Sequence, residues 1–347
     1  MEIQSRFRQR QGVCRCCLPA AILSAAPTHR RFHLQAIFWG VRGSYPTPGP
    51  ETVRYGGNTA CVEIASRSGE RVVIDAGTGL ARLGEWLAQR QLDTGRFDLL
   101  LSHMHWDHVQ GLPFFAPCHQ GKAQLAIHAL RPDVVKLRDI VRGVARHEFF
   151  PVALDDMAAS FEFHEVHPGR RFRASAFAIR PFRLNHPFGA VGYRIDGDNS
   201  SCAYVCDTAP FDLLLHKKHF LKGPEPLSTT DRRQLQNLRA SLVQAVQGCD
   251  TVIYDTHYTQ DEYARFPHYG HSTPDHALDL LHGQGVGRLV LFHHAPNHTD
   301  AMMDEIDAQY RRKGEQLGIE VVTAREGLAL TIGNAARSGP MHVVAAP

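Results

Sequence analysis

The stretch from Phe97 to Gly111 constrains this chain more than any other. It opens with an almost wholly apolar run, Phe97 to Leu101, which has the length and flanks of a buried strand. Ser102-His-Met-His-Trp-Asp-His108 follows directly and reads H-x-H-x-D-H, with His103, His105, Asp107 and His108 in the named positions. Gly111 and Pro113 then stop whatever short turn begins there. Neutral imidazole nitrogen and carboxylate oxygen suit zinc and similar divalent ions. Four such groups on one short segment cannot all converge on a single tetrahedral ion. Two ions side by side, each completed from elsewhere in the chain, fit them better. The competing reading is a solvated, His-rich loop. The chain has 22 His, so chance pairs are expected, but not an ordered quartet placed directly after an apolar strand.

An ion at His103 and His105 needs a third imidazole, an ion at Asp107 and His108 needs one too, and a carboxylate between them would tie the pair together. His186 lies between two strand-like segments and is pinned by Pro187. Asp207 ends the apolar run Cys202 to Cys206, where an uncompensated carboxylate would be expensive. His293 ends another such run, Arg288 to Phe292. Each alone reads as a cap or a loop residue; together with the quartet they complete the set that two ions require.

The rest of the chain is organised to deliver these ends. Ala36–Trp39, Cys61–Ile64, Arg71–Asp75, Leu125–His128, Phe172–Ile179, Ala190–Ile195 and Thr251–Tyr254 read as strands. Leu80, Leu83 and Leu87 recur at helical spacing, and Pro132–Val144, Thr230–Gln247 and Thr273–Leu281 read as helices. His147–Met157 reads as a loop over the site. Strands first and strand–helix alternation later indicate an α/β chain of two packed sheets with helices outside. At 347 residues and 43% hydrophobic, the chain can bury a large core in one or two domains. Residues 1–33 carry six arginines against one acid, with a short apolar run that Pro19 interrupts. They read as an extension outside the core, with a secretory signal over 1–26 as the alternative. The folded core is expected over 34–335, with 336–347 as a tail. Cys202 and Cys206 sit four apart on one strand, about 13 Å at roughly 3.3 Å per residue, and cannot bridge. Cytoplasmic residence is the simplest inference. No apolar run reaches the roughly 20 residues a membrane span needs.

Several further motifs now join the quartet: Gly40-Val-Arg-Gly-Ser44, Arg54-Tyr-Gly-Gly-Asn-Thr59, Phe149-Phe-Pro-Val152, Leu184-Asn-His-Pro187, Gly192-Tyr-Arg194, Asp207-Thr208, Tyr269-Gly-His-Ser-Thr273 and Phe292-His-His-Ala-Pro296. In this order, from about Trp39 to Ile332, the chain resembles the phosphodiesterase branch of the metallo-β-lactamase-fold hydrolases. That branch includes RNase Z and the cyclic phosphodiesterase of phosphonate breakdown. The resemblance implies an αββα sandwich of two mixed sheets with helices on the outer faces, and two divalent ions, zinc first, with manganese or iron as alternatives. It implies that His103, His105 and His186 hold one ion, that Asp107, His108 and His293 hold the other, and that Asp207 bridges them. It also implies a bridging hydroxide as nucleophile and a histidine, here His271, that handles protons or contacts phosphate. The catalytic candidates are thus Asp107 and His271. Residue 294 is also His, so His294 competes with His293; strand alignment favours His293. His257 follows Asp255-Thr256 and has no assigned role. Thr208 and Asn58 are candidates for supporting hydrogen bonds. His164, His167, His268, His276 and His298 default to surface-loop or helix positions.

Three function classes follow. The leading one is a dinuclear metal phosphodiesterase acting on small, cyclic phosphodiesters. An RNase Z-like ribonuclease is disfavoured at this stage, because the resemblance puts its tRNA-gripping arm between the third His and the bridging Asp. Only 21 residues separate His186 from Asp207 here. A net charge of +3 also gives no push toward nucleic acid, so nucleic acid is expected to be unlikely as a large substrate. A lactonase or thioesterase on the same metals is the second class, and a non-catalytic sensing module the third. A homodimer is compatible with the sequence, and membrane association is not expected.

Overall fold

The computed structural model describes residues 33–130, 135–215, 227–333 and the short strand 342–343. The basic segment 1–32, including the candidate signal, lies outside the described residues, as does most of the expected tail.

In chain order the strands are β1 (Leu34–Gly40), β2 (Cys61–Ala65), β3 (Arg71–Ile74), β4 (Gly95–Leu101), β5 (Ala123–Leu130), β6 (Ser160–Val166), β7 (Phe172–Ala174), β8 (Phe177–Leu184), β9 (Ala190–Gly197), β10 (Ser200–Val205), β11 (Thr251–Asp255), β12 (Arg288–Phe292), β13 (Glu320–Thr323), β14 (Leu328–Ile332) and β15 (His342–Val343). The helices are α1 (Gly79–Gln89), α2 (Leu137–Val144), α3 (Thr229–Val246), α4 (Gln260–Arg265), α5 (Pro274–Leu281) and α6 (Asp300–Leu317).

They form two mixed sheets. One runs β15-β14-β1-β2-β3-β4-β5-β6 and the other β13-β12-β11-β10-β9-β8-β7. Leu100, Ile74 and Phe38 from the first sheet pack against Tyr193, Ile253 and Phe292 from the second. The opposite faces are closed by helices: α1 and α2 cover Phe97, Leu99 and Leu101, while α3, α5 and α6 cover Val252, Leu289 and Leu291. β4 therefore buries both faces, which is why its sequence is a run rather than an alternation. The αββα sandwich expected from the resemblance is the fold observed.

Helix boundaries follow local chemistry. The Ser228 and Asp231 side chains form a reciprocal capping box that starts α3. Thr273 accepts from the His276 amide ahead of Pro274 at the start of α5. Gly318, at φ 70°, ends α6.

Some expectations need correction. Phe172–Ile179 is not one strand but the hairpin β7–β8, because Ser175 turns with φ 52°. The described part of the helix expected over 132–144 begins only at Leu137. The helices α4 and α6 and the strands β6, β13 and β14 carry too little unbroken periodicity to stand out in the sequence. Residues 342–343, within the expected tail, pair with β14. The segment His147–Met157 packs on the first sheet's outer layer, where Phe150 meets Phe114 edge-on. Among the described residues no helix is long and apolar enough to cross a membrane.

Topology gathers the chemistry at one edge. β3–β4–β5–β6 and β10–β11–β12–β13 are parallel runs, and ligands bind beyond the carboxyl ends of such strands. Asp75, His103, Asp207, Asp255 and His293 all stand at such ends. His186 joins them from the β8–β9 connection. The 21-residue interval to Asp207 is filled by β9, the tight turn Asp198-Asn199 with φ 48° and 56°, and β10.

Candidate metal centre

The segment after β4 is fastened before it presents any ligand. The Ala76 amide donates to the His108 carbonyl at 2.7 Å, and the Gly111 amide donates back to Ala76 at 2.8 Å. A side chain at Gly111 would drive into the Gly77 carbonyl, so the two loops can touch only with glycine there. A single 3₁₀ turn, Trp106–His108, then splays the four polar side chains.

Asp207 lies between two sets of imidazoles. Its Oδ2 is 3.6 Å from His103 Nε2 and 3.5 Å from His186 Nε2. Its Oδ1 is 3.3 Å from both His108 Nε2 and His293 Nε2. His105 Nδ1 meets His186 Nε2 at 3.0 Å, and Asp107 Oδ2 lies 3.2 Å from His108 Nε2 and 3.4 Å from His293 Nε2. All seven expected ligands are thus gathered, in two groups sharing one carboxylate. His103 Nε2, His108 Nε2 and His293 Nε2 are buried with no hydrogen-bond partner. Orphaned imidazole nitrogens aimed at carboxylates are costly without a cation between them, so this donor set fits divalent ions. His294 is absent from the cluster: its Nε2 meets the Ala324 carbonyl at 2.8 Å and its ring packs edge-on against Tyr55.

Behind four of the expected ligands stands a hydrogen-bonding partner. Asp75 Oδ2 is 2.8 Å from His108 Nδ1, and the same carboxylate accepts from Ser102 and from the Tyr204 hydroxyl. The Gly270 carbonyl faces His186 Nδ1 at 2.9 Å, the Ser102 hydroxyl faces His103 Nδ1 at 3.0 Å, and the Ser44 amide donates to Asp107 Oδ2 at 2.7 Å. Asp75 and Asp255 had no assigned role in the sequence. The signal was there, since both end apolar strands as Asp207 does. Asp255 accepts from the Thr208 and His257 amides and faces His271 Nδ1 at 3.1 Å. Thr208 therefore supports the site, whereas Asn58 binds Glu326 and holds the loop before Ser44 instead. His257 Nδ1 donates to the His293 carbonyl at 2.9 Å, and its ring stacks on His271 at 4.4 Å. His298 is not on the surface: it is buried against Glu262. Cys206 Sγ lies 2.9 Å from Asp207 Oδ1, and burial beside three carboxylates pushes its thiol up, so it remains a thiol.

Electrostatics differ around the cluster. Burial pushes His103, His105 and His186 down, His186 to about 3, so they stand neutral as metal ligands must. Burial acts likewise on His108, but Asp107, Asp207 and Asp75 outweigh it and raise it. Burial would raise Asp107, but His108 and His293 hold it well below the usual carboxylate range. His271 is desolvated too, yet Asp255 lifts it to about 9.

Comparison with known proteins agrees with this geometry. A family profile described as a beta-lactamase superfamily domain matches residues 70–225. Ribonuclease Z from Haloferax volcanii is 24% identical over 75% of this chain and 84% of that protein. The metallo-β-lactamase fold protein YhfI from Bacillus subtilis superposes with a TM-score of 0.59 at 15% identity, over 86% of this chain and 99% of the other. The short form of human tRNase Z gives 0.57 at 19% identity, over 86% and 99%. The chain is a hydrolase of the metallo-β-lactamase fold, a fold that implies divalent metal ions. Within that class, the similarity in sequence is to ribonuclease Z.

That relationship corrects one expectation. Nucleic acid was judged unlikely as a large substrate, but the relative matched over most of its length is named as a ribonuclease. The net charge misleads because it averages over the whole surface. Locally, Arg96, Arg170, Arg171 and Arg173 line one cavity with His164 and His167.

Proposed function

We propose that the chain is a dinuclear metal-dependent phosphodiesterase, with small and cyclic phosphodiesters as its substrates. His103, His105 and His186 would hold one ion, Asp107, His108 and His293 the other, and Asp207 both. The observation that carries this is the Asp207 carboxylate, with one oxygen toward each set of imidazoles, in a cavity of about 440 Å3 that His271 also lines. Bound divalent ions supply Lewis acidity toward phosphoryl oxygens and lower the pKa of water.

The chain's own residues do the rest. Asp75 and the Gly270 carbonyl keep His108 and His186 in fixed tautomers. The Ser44 amide neutralises part of the Asp107 charge and holds Oδ2, the oxygen that faces His108 and His293, in place. His271, held at Nδ1 by Asp255, is positioned to give a proton to the departing alkoxide, which leaves poorly otherwise. This role supports a phosphodiester over a lactone, whose cleavage needs less help at the leaving oxygen.

A second reading, cleavage of RNA, is favoured by the relative's name. One panel separates the readings: metal-loaded protein with bis-p-nitrophenyl phosphate, 2′,3′- and 3′,5′-cyclic nucleotides, a 3′-extended tRNA transcript, lactones and nitrocefin. Turnover of the small diesters with no cut in the transcript supports the first reading. A cut transcript with idle cyclic nucleotides replaces it with the second, and turnover of lactones alone sinks both.

A further inference from the structure

A second cavity, of about 270 Å3, shares His105 and Pro187 with the first but is not lined by His271. Its walls are apolar: Leu130 from β5, Ile140 from α2, Pro187 and Phe188. One charge interrupts them, the guanidinium of Arg183 on β8. Among the described residues no carboxylate or hydrogen-bond acceptor faces it, although nearly every other half-buried arginine on this surface is paired. Arg71 has Glu63, and Arg194 has Asp196. A half-buried arginine in an apolar pocket is suited to a planar, bidentate anion.

Two backbone features keep the pocket in this form. Gly189 has φ 89°, and a Cβ there would come within 2.6 Å of Arg183 Nη1, so glycine leaves the guanidinium its room. Phe188 has φ 60°, a conformation that is strained for a bulky side chain. The strain holds an exposed ring at the pocket mouth, edge-on to His105 at 6.4 Å. An aromatic in that setting is a platform for a flat ring rather than part of the core.

We propose that this cavity is a substrate subsite. It takes the ring-bearing, nucleoside-like arm of a phosphodiester, and Arg183 binds a second phosphate on that arm. This rests on the phosphodiesterase reading above and adds to it a substrate class: a diester with a further anion one sugar away from the bond that is cut.

Thymidine 5′-(p-nitrophenyl phosphate) and its 3′-phosphorylated counterpart differ only in that second anion. With metal-loaded wild-type protein, kcat/KM is expected to be roughly tenfold or more higher for the 3′-phosphorylated ester, mainly through KM, as suits a charge-assisted pair. In Arg183→Met the ratio falls toward one. In Arg183→Lys, which keeps the charge but not the fork, it lies between. Phe188→Ala raises KM for both esters. A ratio near one in the wild type, or a ratio that survives in Arg183→Met, overturns the subsite while leaving diester hydrolysis intact. If no diester is hydrolysed at all, the phosphodiesterase reading falls instead. The subsite is then judged by calorimetric binding of thymidine 3′,5′-bisphosphate: Kd weakened tenfold or more in Arg183→Met supports it, and an equal Kd overturns it.

Discussion

The two halves of the histidine cluster are built differently. On the His108 and His293 side the groups are sealed, and the outer partner of His108 is a carboxylate, Asp75. On the His103, His105 and His186 side the outer partners are a hydroxyl and a backbone carbonyl, both neutral, and His105 is partly open to the two cavities. A carboxylate behind an imidazole makes it a stronger donor than a neutral partner does. On the proposed two-ion reading, the first half would keep an ion and the second would expose one to substrate.

The largest effect should come from the group common to both halves. Asp207→Ala is expected to cost more than the roughly 100-fold that loss of an outer partner can cost, and elemental analysis should find well under two equivalents of metal. A variant that keeps two equivalents and most of its turnover of bis-p-nitrophenyl phosphate would break the shared-carboxylate arrangement. Next, Asp75→Asn should lower metal affinity by about 10–100-fold, and Ser102→Ala by clearly less. Equal affinities in competition with a chelator would erase the distinction between the halves. His271→Ala tests the chemistry between them. Hydrolysis of a cyclic, alkyl-leaving diester should fall roughly 10²–10⁴-fold, and that of an activated p-nitrophenyl ester much less; equal losses would mean that His271 binds phosphate instead.

His294→Ala should leave metal content and turnover near wild type and lower stability by about 1–3 kcal/mol, because the Ala324 carbonyl loses its buried partner. Lost metal would reassign the end of β12. The smallest effect lies farthest from the ions. Burial would raise the Glu262 carboxyl, but His298 and the Thr259 amide outweigh it and hold the group at about 2. A carboxyl depressed in the folded state adds stability that is complete above its ordinary value, and that stability is lost as pH falls through about 2. Glu262→Gln should therefore leave turnover unchanged, lower the melting temperature at neutral pH, and converge on the wild type as pH falls toward about 2, which flattens the acid side of the profile. An unchanged acid limb would assign that limb to other carboxylates.

Much of this was legible in the sequence because the site is local at its centre. His103, His105, Asp107 and His108 share one segment, and Asp207 and His293 each end an apolar run. The layered fold followed from the same runs. What stayed hidden depends on contacts between distant segments. Nothing near Asp75 in sequence says that it lies behind His108, and nothing near Asp255 says that it holds His271. The arginines that gather around one cavity are invisible in a net charge of +3. The hairpin at Ser175 was hidden because its turn carries no glycine or proline.

One feature of the strand ends bears on how such a protein can change. Asp75, Asp207 and His293 all adopt left-handed backbone, with φ 59°, 59° and 63°. Each is a place where a side chain with a task sits in a conformation that glycine adopts more easily. Asp207→Gly should melt at a higher temperature than Asp207→Ala, though both lose the carboxylate. Selection for stability alone would push these three positions toward glycine, and selection for turnover holds them where they are. The robustness of the scaffold and the reactivity of its edge are therefore in opposition at the same residues.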